Sequence, residues 1–77
     1  MPDYVKRMID EQKELQKKIQ KLHVFLNDEE KVKDLSDAEL NLLNCQVSAM
    51  ETYDCILASR LCIECDKGNC TVDDLNS

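Results

Sequence analysis

The sequence predicts an all-α fold: two long helices folded into an antiparallel hairpin, which assembles with copies of itself into a helical-bundle homo-oligomer. Three observations carry this expectation. The 77 residues include one Gly and one Pro, and 34% of them are charged; that is too little turn chemistry for a set of strands and a composition typical of long helices. Apolar residues recur at three-and-four spacing along two stretches separated by a short acidic link. The second stretch carries two such rows, Leu40, Leu43, Val47, Met50, Leu57, Leu61 and Leu42, Cys45, Ala49, Tyr53, Ile56, Ile63, which at about 100° per residue fall on roughly opposite sides of one helix. A monomeric hairpin covers only one of these seams. With two Tyr, one Phe and no Trp, the chain is also near the size at which a single core barely offsets the conformational entropy of folding, so association between copies supplies the missing burial.

Each element has its own local signals. Pro2 suits the first turn of a helix and Asp3 its positive end, and the row Val5, Met8, Leu15, Ile19, Leu22, Leu26 then carries helix one over about residues 3–26. Gln12 interrupts this row, either as a solvent-facing residue on a slightly rotated helix or as a core polar group that fixes register or chain pairing. In the link, 27–36, Asn27 followed three residues later by Glu30 reads as a cap, so that NDEEKVKDL forms a short helical turn with Val32 and Leu35 beneath the hairpin. Ser36 with Glu39 is a full capping box, flanked by the apolar pair Leu35 and Leu40. Helix two therefore starts at Asp37 and runs to about Cys65, where Lys67, Gly68 and Asn69 give a left-handed stop. Residues 1–66 form the hairpin, and 67–77 a short acidic tail with little to bury.

Charge and composition narrow the function. The net charge is -6, yet residues 1–26 hold six Lys or Arg against four acids, whereas 27–77 hold four against twelve. Helix one is the basic element. An acidic chain is a poor candidate for duplex nucleic acid, which rewards broad basic surfaces; a small anionic ligand held by a few cations is compatible. No stretch approaches the roughly 20 apolar residues that span a bilayer, and the opening MPDYVKRMID lacks the apolar run of a secretory signal, so a cytosolic protein without membrane contact is expected. Five cysteines without an export signal indicate reduced thiols rather than a disulfide framework. His23 is the single histidine, there is no glycine-rich phosphate loop, and no serine sits in a nucleophile-elbow context. The expectation is a protein that is not an enzyme and needs no cofactor.

The candidate ligand-binding residues follow from position. Tyr4, Lys6 and Arg7 open helix one, where free N–H groups and the positive dipole end favour an anion and a tyrosine ring offers a face for a base; the other reading packs Tyr4 on the far end of helix two and leaves the cations solvated. Lys13, Lys17, Lys18 and Lys21 continue a basic edge, paired along the helix with Glu11 and Glu14. Arg60 occupies a step of the second seam where an aliphatic residue is expected, so it wants a partner: Glu64 on the next turn, an acid of another chain, or a phosphate in an intersubunit pocket. Asp54 breaks the first seam in the same way, and Gln46 and Tyr53 place polar heads near the second. Cys62, Cys65 and Cys70 form a C-x2-C-x4-C run that, with Cys55 or an acid, makes a weak candidate zinc site; there is no second C-x2-C pair and no nearby histidine.

The order YVKRMIDEQKELQKKIQKLHVFL, a short acidic link, then LSDAELNLLNCQVSAMETYDCILASRL resembles the small helical-hairpin proteins of bacteriophages, including the crAss-like phage family, and is similar to the hairpin domain of phage anti-defence sponges. The resemblance covers about residues 3–61 and rests on the Tyr-x-x-Arg-Met opening, the Lys-Leu near the end of helix one, the Leu-Ser cap, and the Gln, Ala-Met, Tyr and Arg-Leu positions of helix two. It implies a homo-oligomer in the cytoplasm of an infected bacterial host that binds a cyclic nucleotide immune signal, of the CBASS or Thoeris kind, between chains and withholds it without cleavage. Carried over by position, Tyr4 stacks on a base, Arg7 and Lys21 meet phosphate, and Gln46, Tyr53 and Arg60 line the seam side. The cysteine-rich end, CIECDKGNC, departs from this pattern. Two other readings use the same residues: a helical protein-interaction module whose second seam grips a host protein helix, and a small zinc-binding structural module.

Overall fold

A computed structural model describes residues 1–76. It is all-helical over these residues, with α1 Asp3–Leu26, α2 Glu29–Val32, α3 Asp37–Asp66 and α4 Val72–Asn76. The two long helices lie antiparallel: Tyr4 meets Glu64 at one end of the pair, and His23 approaches Glu51 toward the other. The molecule is a rod of 49 × 19 × 16 Å, its long dimension close to the roughly 45 Å that a 30-residue helix spans at 1.5 Å per residue. Among the described residues no helix is long and apolar enough to cross a membrane.

The first seam of α3 is the packed one. Val47, Leu57 and Leu61 are buried and Leu40, Leu43 and Met50 half-buried, whereas on the second seam Leu42 is 70% exposed, Ile56 50% and Ile63 54%. The dense core lies at the end where α1 begins and α3 finishes, built from Val5, Met8, Ile9, Leu57, Leu61 and Cys70, with Leu15, Cys65 and Leu75 packed against it. Gln12 is half-buried on the inward row of α1.

Local chemistry sets the breaks. The Ser36 hydroxyl accepts from the Glu39 N–H at 3.1 Å, which caps α3 at the expected residue, and the same hydroxyl, rather than the Ser36 N–H of a full capping box, donates to the Glu39 carboxylate at 3.1 Å. Ser36→Ala is expected to lower stability by about 1 kcal/mol, read as a fall in the urea midpoint with unchanged slope; an unaltered midpoint would show that tertiary packing alone fixes this boundary. The cap of α2 differs from the expectation by one residue. Asp28, in extended backbone, accepts from the Glu30 N–H at 3.1 Å, while Asn27 keeps helical angles and ends α1. Two acceptor side chains stand side by side, and the extended conformation required of a cap falls on the second.

α3 ends in a complete Schellman turn: the Gly68 N–H donates to the Cys65 carbonyl and the Asn69 N–H to the Glu64 carbonyl, with Gly68 at φ +82°, a conformation that glycine adopts without a Cβ penalty. The reversal turns the tail back onto the hairpin. Sequence left this tail little to bury, but Cys70 is buried, Leu75 packs on the core, and Thr71 and Asp74 cap α4 reciprocally.

Candidate ligand-binding site

Gln46, Tyr53 and Arg60 are spaced by seven residues, two helical turns, and so form one row on α3 along the edge of its outward seam. Tyr4, Arg7 and Glu11, at three-and-four spacing, run along the facing edge of α1, and Lys18 and Lys21 extend it. Contacts join the two edges. The Tyr53 hydroxyl donates to Glu11 Oε1 at 2.6 Å. Gln46, Lys18 and Lys21 line a shallow groove of about 330 Å³ with Leu22, Phe25 and Met50. At the other end the Tyr4 hydroxyl donates to Glu64 Oε2 at 2.8 Å. The six residues singled out in sequence therefore share one long flank of the hairpin. They are strung along it, and of the six Gln46 and Lys21 line a common groove.

Tyr4 packs against the far end of α3, as the second of its two readings has it, with 49% of its surface exposed. Its partner Glu64, a buried acid only 7% exposed, also accepts from Asn69 Nδ2 at 2.7 Å and has Lys67 Nζ at 3.6 Å. Glu64 is thus spoken for, and Arg60 does not take it. Arg7, Lys21 and Arg60 make no hydrogen bond or ion pair among the described residues, whereas Lys17 meets Glu14 and Lys33 meets Glu30. The positive charge of Arg60 does reach the Tyr53 phenol, whose pKa is nevertheless raised, chiefly by its hydrogen bond to Glu11 and then by burial.

Sequence reasoning offered Glu64 only as a partner for Arg60, whereas Tyr4 and Asn69 take it, and it missed Asn69 as part of this flank. A signal for Glu64 existed, since it falls three residues after Leu61 and seven after Leu57 on the inward seam. Hydrogen bonds from Asn69 and then from Tyr4 hold its carboxyl below the ordinary glutamate value of 4.5. A carboxyl depressed by folding stabilises fully above its unfolded value and loses that contribution as pH falls through the folded one. Glu64→Gln is accordingly expected to flatten the fall in melting temperature below pH 4.5, measured by thermal scans from neutral to acid pH; parallel acid limbs in the two proteins would remove Glu64 from the account.

His23 is exposed, with Nε2 3.6 Å from Glu51 Oε1, in a separate groove of about 450 Å³ lined also by Gln16, Ile19, Gln20, Asp54 and Cys55. Asp54 Oδ1 is buried there without a hydrogen-bond partner among the described residues. Of the cysteine run, Cys65 and Cys70 come together, their Sγ atoms 2.9 Å apart, while Cys62 is exposed. No group of three or more His, Cys, Asp or Glu among the described residues is arranged to hold a metal ion.

The Sequestin family model matches residues 2–63, that is α1, the link and all of α3 but its last three residues. No curated protein matches the chain, and no solved structure does.

Proposed function

The chain belongs to the Sequestin family, and from that premise we propose that it is a phage anti-defence sponge, which binds a cyclic nucleotide immune signal of the CBASS or Thoeris kind and withholds it, uncleaved, in the cytoplasm of the infected host. The family name itself denotes sequestration. The observation that carries the reading is the flank on which Arg7, Lys21 and Arg60 make no hydrogen bond or ion pair among the described residues, beside an uncovered apolar seam. Cations with no internal partner are free to meet phosphate, and the tyrosines of the same flank offer rings to bases.

The site is completed between copies. The seam of α3 has palindromic spacing: when a second α3 lies antiparallel across it, centred between Thr52 and Tyr53, Leu42 faces Ile63, small Ala49 faces large Ile56, and Arg60 comes opposite Cys45. Such an interface encloses the Gln46–Tyr53–Arg60 row twice, related by a two-fold axis. A cyclic dinucleotide has the matching symmetry, so each half of the ligand meets the same cation and the same aromatic face. Sequestration asks for affinity and abundance, not for a nucleophile or a general base, and the protein is proposed to act without catalysis and without duplex nucleic acid as a partner.

Native mass spectrometry of the full chain, alone and with a panel of cyclic di- and trinucleotides and cyclic ADP-ribose isomers, tests this. An oligomer that retains one intact nucleotide per interface supports it. A monomer that binds no member of the panel refutes it and favours the second reading, in which the same seam, with Ile56 and Ile63 exposed, receives a helix of a host protein.

A further inference from the structure

We propose that Cys65 and Cys70 form a reversible thiol–disulfide couple that fastens the C-terminal tail to the end of α3. Neither residue lies within the matched span of 2–63, and the couple is independent of the sponge reading. Its Sγ atoms are 2.9 Å apart, less than 1 Å beyond the roughly 2.05 Å of a disulfide bond. This approach is built by the fold rather than by chance contact. The Schellman turn at Lys67–Asn69 reverses the chain, Asn69 is tied by its side chain to Glu64, and Cys70 is set into the core beside Val5 and Leu61, within 3.8 Å of the Leu61 carbonyl.

The two sulfurs have different parts. Cys65 is half-buried and Cys70 buried, and the contact with Cys65, followed by burial, pushes the Cys70 thiol up to about 11. Cys65 therefore meets the oxidant, here a low-molecular-weight disulfide such as oxidised glutathione. The Cys65 thiolate attacks one glutathione sulfur, the glutathione S–S bond breaks, and one glutathione thiolate leaves. Cys70 then gives its proton to solvent, and its sulfur attacks Cys65 Sγ and expels the second glutathione. Two protein thiols are oxidised and one glutathione disulfide is reduced to two thiols. The product ties the residue just before Thr71 to α3, and with it the segment that carries α4 and docks Leu75 on the core. It also closes the turn holding Asn69, which lies 3.4 Å from the Tyr4 hydroxyl, so the latch adjoins the end of the candidate flank.

The test is incubation of the full chain in a mixed oxidised and reduced glutathione buffer, then alkylation and tryptic mapping. Lys67 lies between the two cysteines, so cleavage there leaves two peptides held only by the new bond. The expected result is the Cys65–Cys70 cross-linked pair as the major product, with glutathione adducts on exposed Cys45, Cys55 and Cys62, and exchange of the Thr71–Asn76 amides slowed at least threefold relative to the reduced protein. In Cys70→Ser, Cys65 is expected to stop at the glutathione adduct. Separate adducts on Cys65 and Cys70 in the natural chain would overturn the couple, as would one zinc ion per chain held by them, and unchanged amide exchange in the cross-linked protein would overturn the latch.

Discussion

Leu57→Ala is expected to destabilise the hairpin by about 3 kcal/mol, within the 2–5 kcal/mol typical of large-to-small changes in a core. Leu57 is fully buried, packed in a cluster that joins α1, α3 and the tail, so truncation leaves a cavity at the point where all three meet. A chain of this size has little stability to spare, so the variant should unfold partly at ordinary temperature. Ile56 is the control. It differs by one position in sequence but lies half-exposed on the opposite seam, and in an isolated chain Ile56→Ala should shift stability by no more than about 0.5 kcal/mol. Urea titrations of both variants at two protein concentrations read the difference. Equal losses at both sites in dilute, monomeric protein would mean that the packed face has been misassigned, whereas a loss for Ile56→Ala that grows with concentration is the mark of a second copy covering that seam.

What sequence made legible was whatever is decided within a turn or two. The Ser36–Glu39 box and the Gly68 stop depend on neighbours three to five residues away, so their residue types alone announce them. Asn27 and Asp28 mark the edge of that method, because both side chains can cap and the choice depends on which backbone leaves the helical region. The two seams of α3 were readable from spacing, as was their separation, but which one faces α1 is a matter of partner surface. Tyr4 and Glu64 stand 60 residues apart, and no local pattern tells a tyrosine whether its hydroxyl will meet a ligand or a buried acid. The Cys65–Cys70 approach was hidden for a related reason: as a spacing the run suggested metal, and only the reversal after Gly68 shows that two of its three sulfurs converge.

Arg60→Glu is expected to weaken binding of whichever cyclic nucleotide the protein retains by at least about 100-fold while leaving the hairpin folded. Arg60 is exposed and makes no hydrogen bond or ion pair among the described residues, so its removal leaves no buried group unpaired and the melting temperature should stay near that of the natural chain. A hydrogen bond to a charged group contributes about 1.5–3 kcal/mol, and each tenfold in affinity is about 1.4 kcal/mol. Loss of that bond, with a carboxylate then facing phosphate, passes two decades, and twice-used symmetry enlarges the effect. Net charge alone must be separated from place, since the change makes a chain of charge -6 more negative by two units. Lys17→Glu makes the same change at a residue already paired with Glu14 on the surface, away from the Gln46–Tyr53–Arg60 row, and should cost less than tenfold. Arg60→Lys keeps the charge but not the planar fork of donors and should fall between. Native mass spectrometry reads both ligand and subunit count in each variant. Equal weakening by Lys17→Glu would reduce Arg60 to a share of the overall field, and unchanged binding in Arg60→Glu would take the phosphate away from this row altogether.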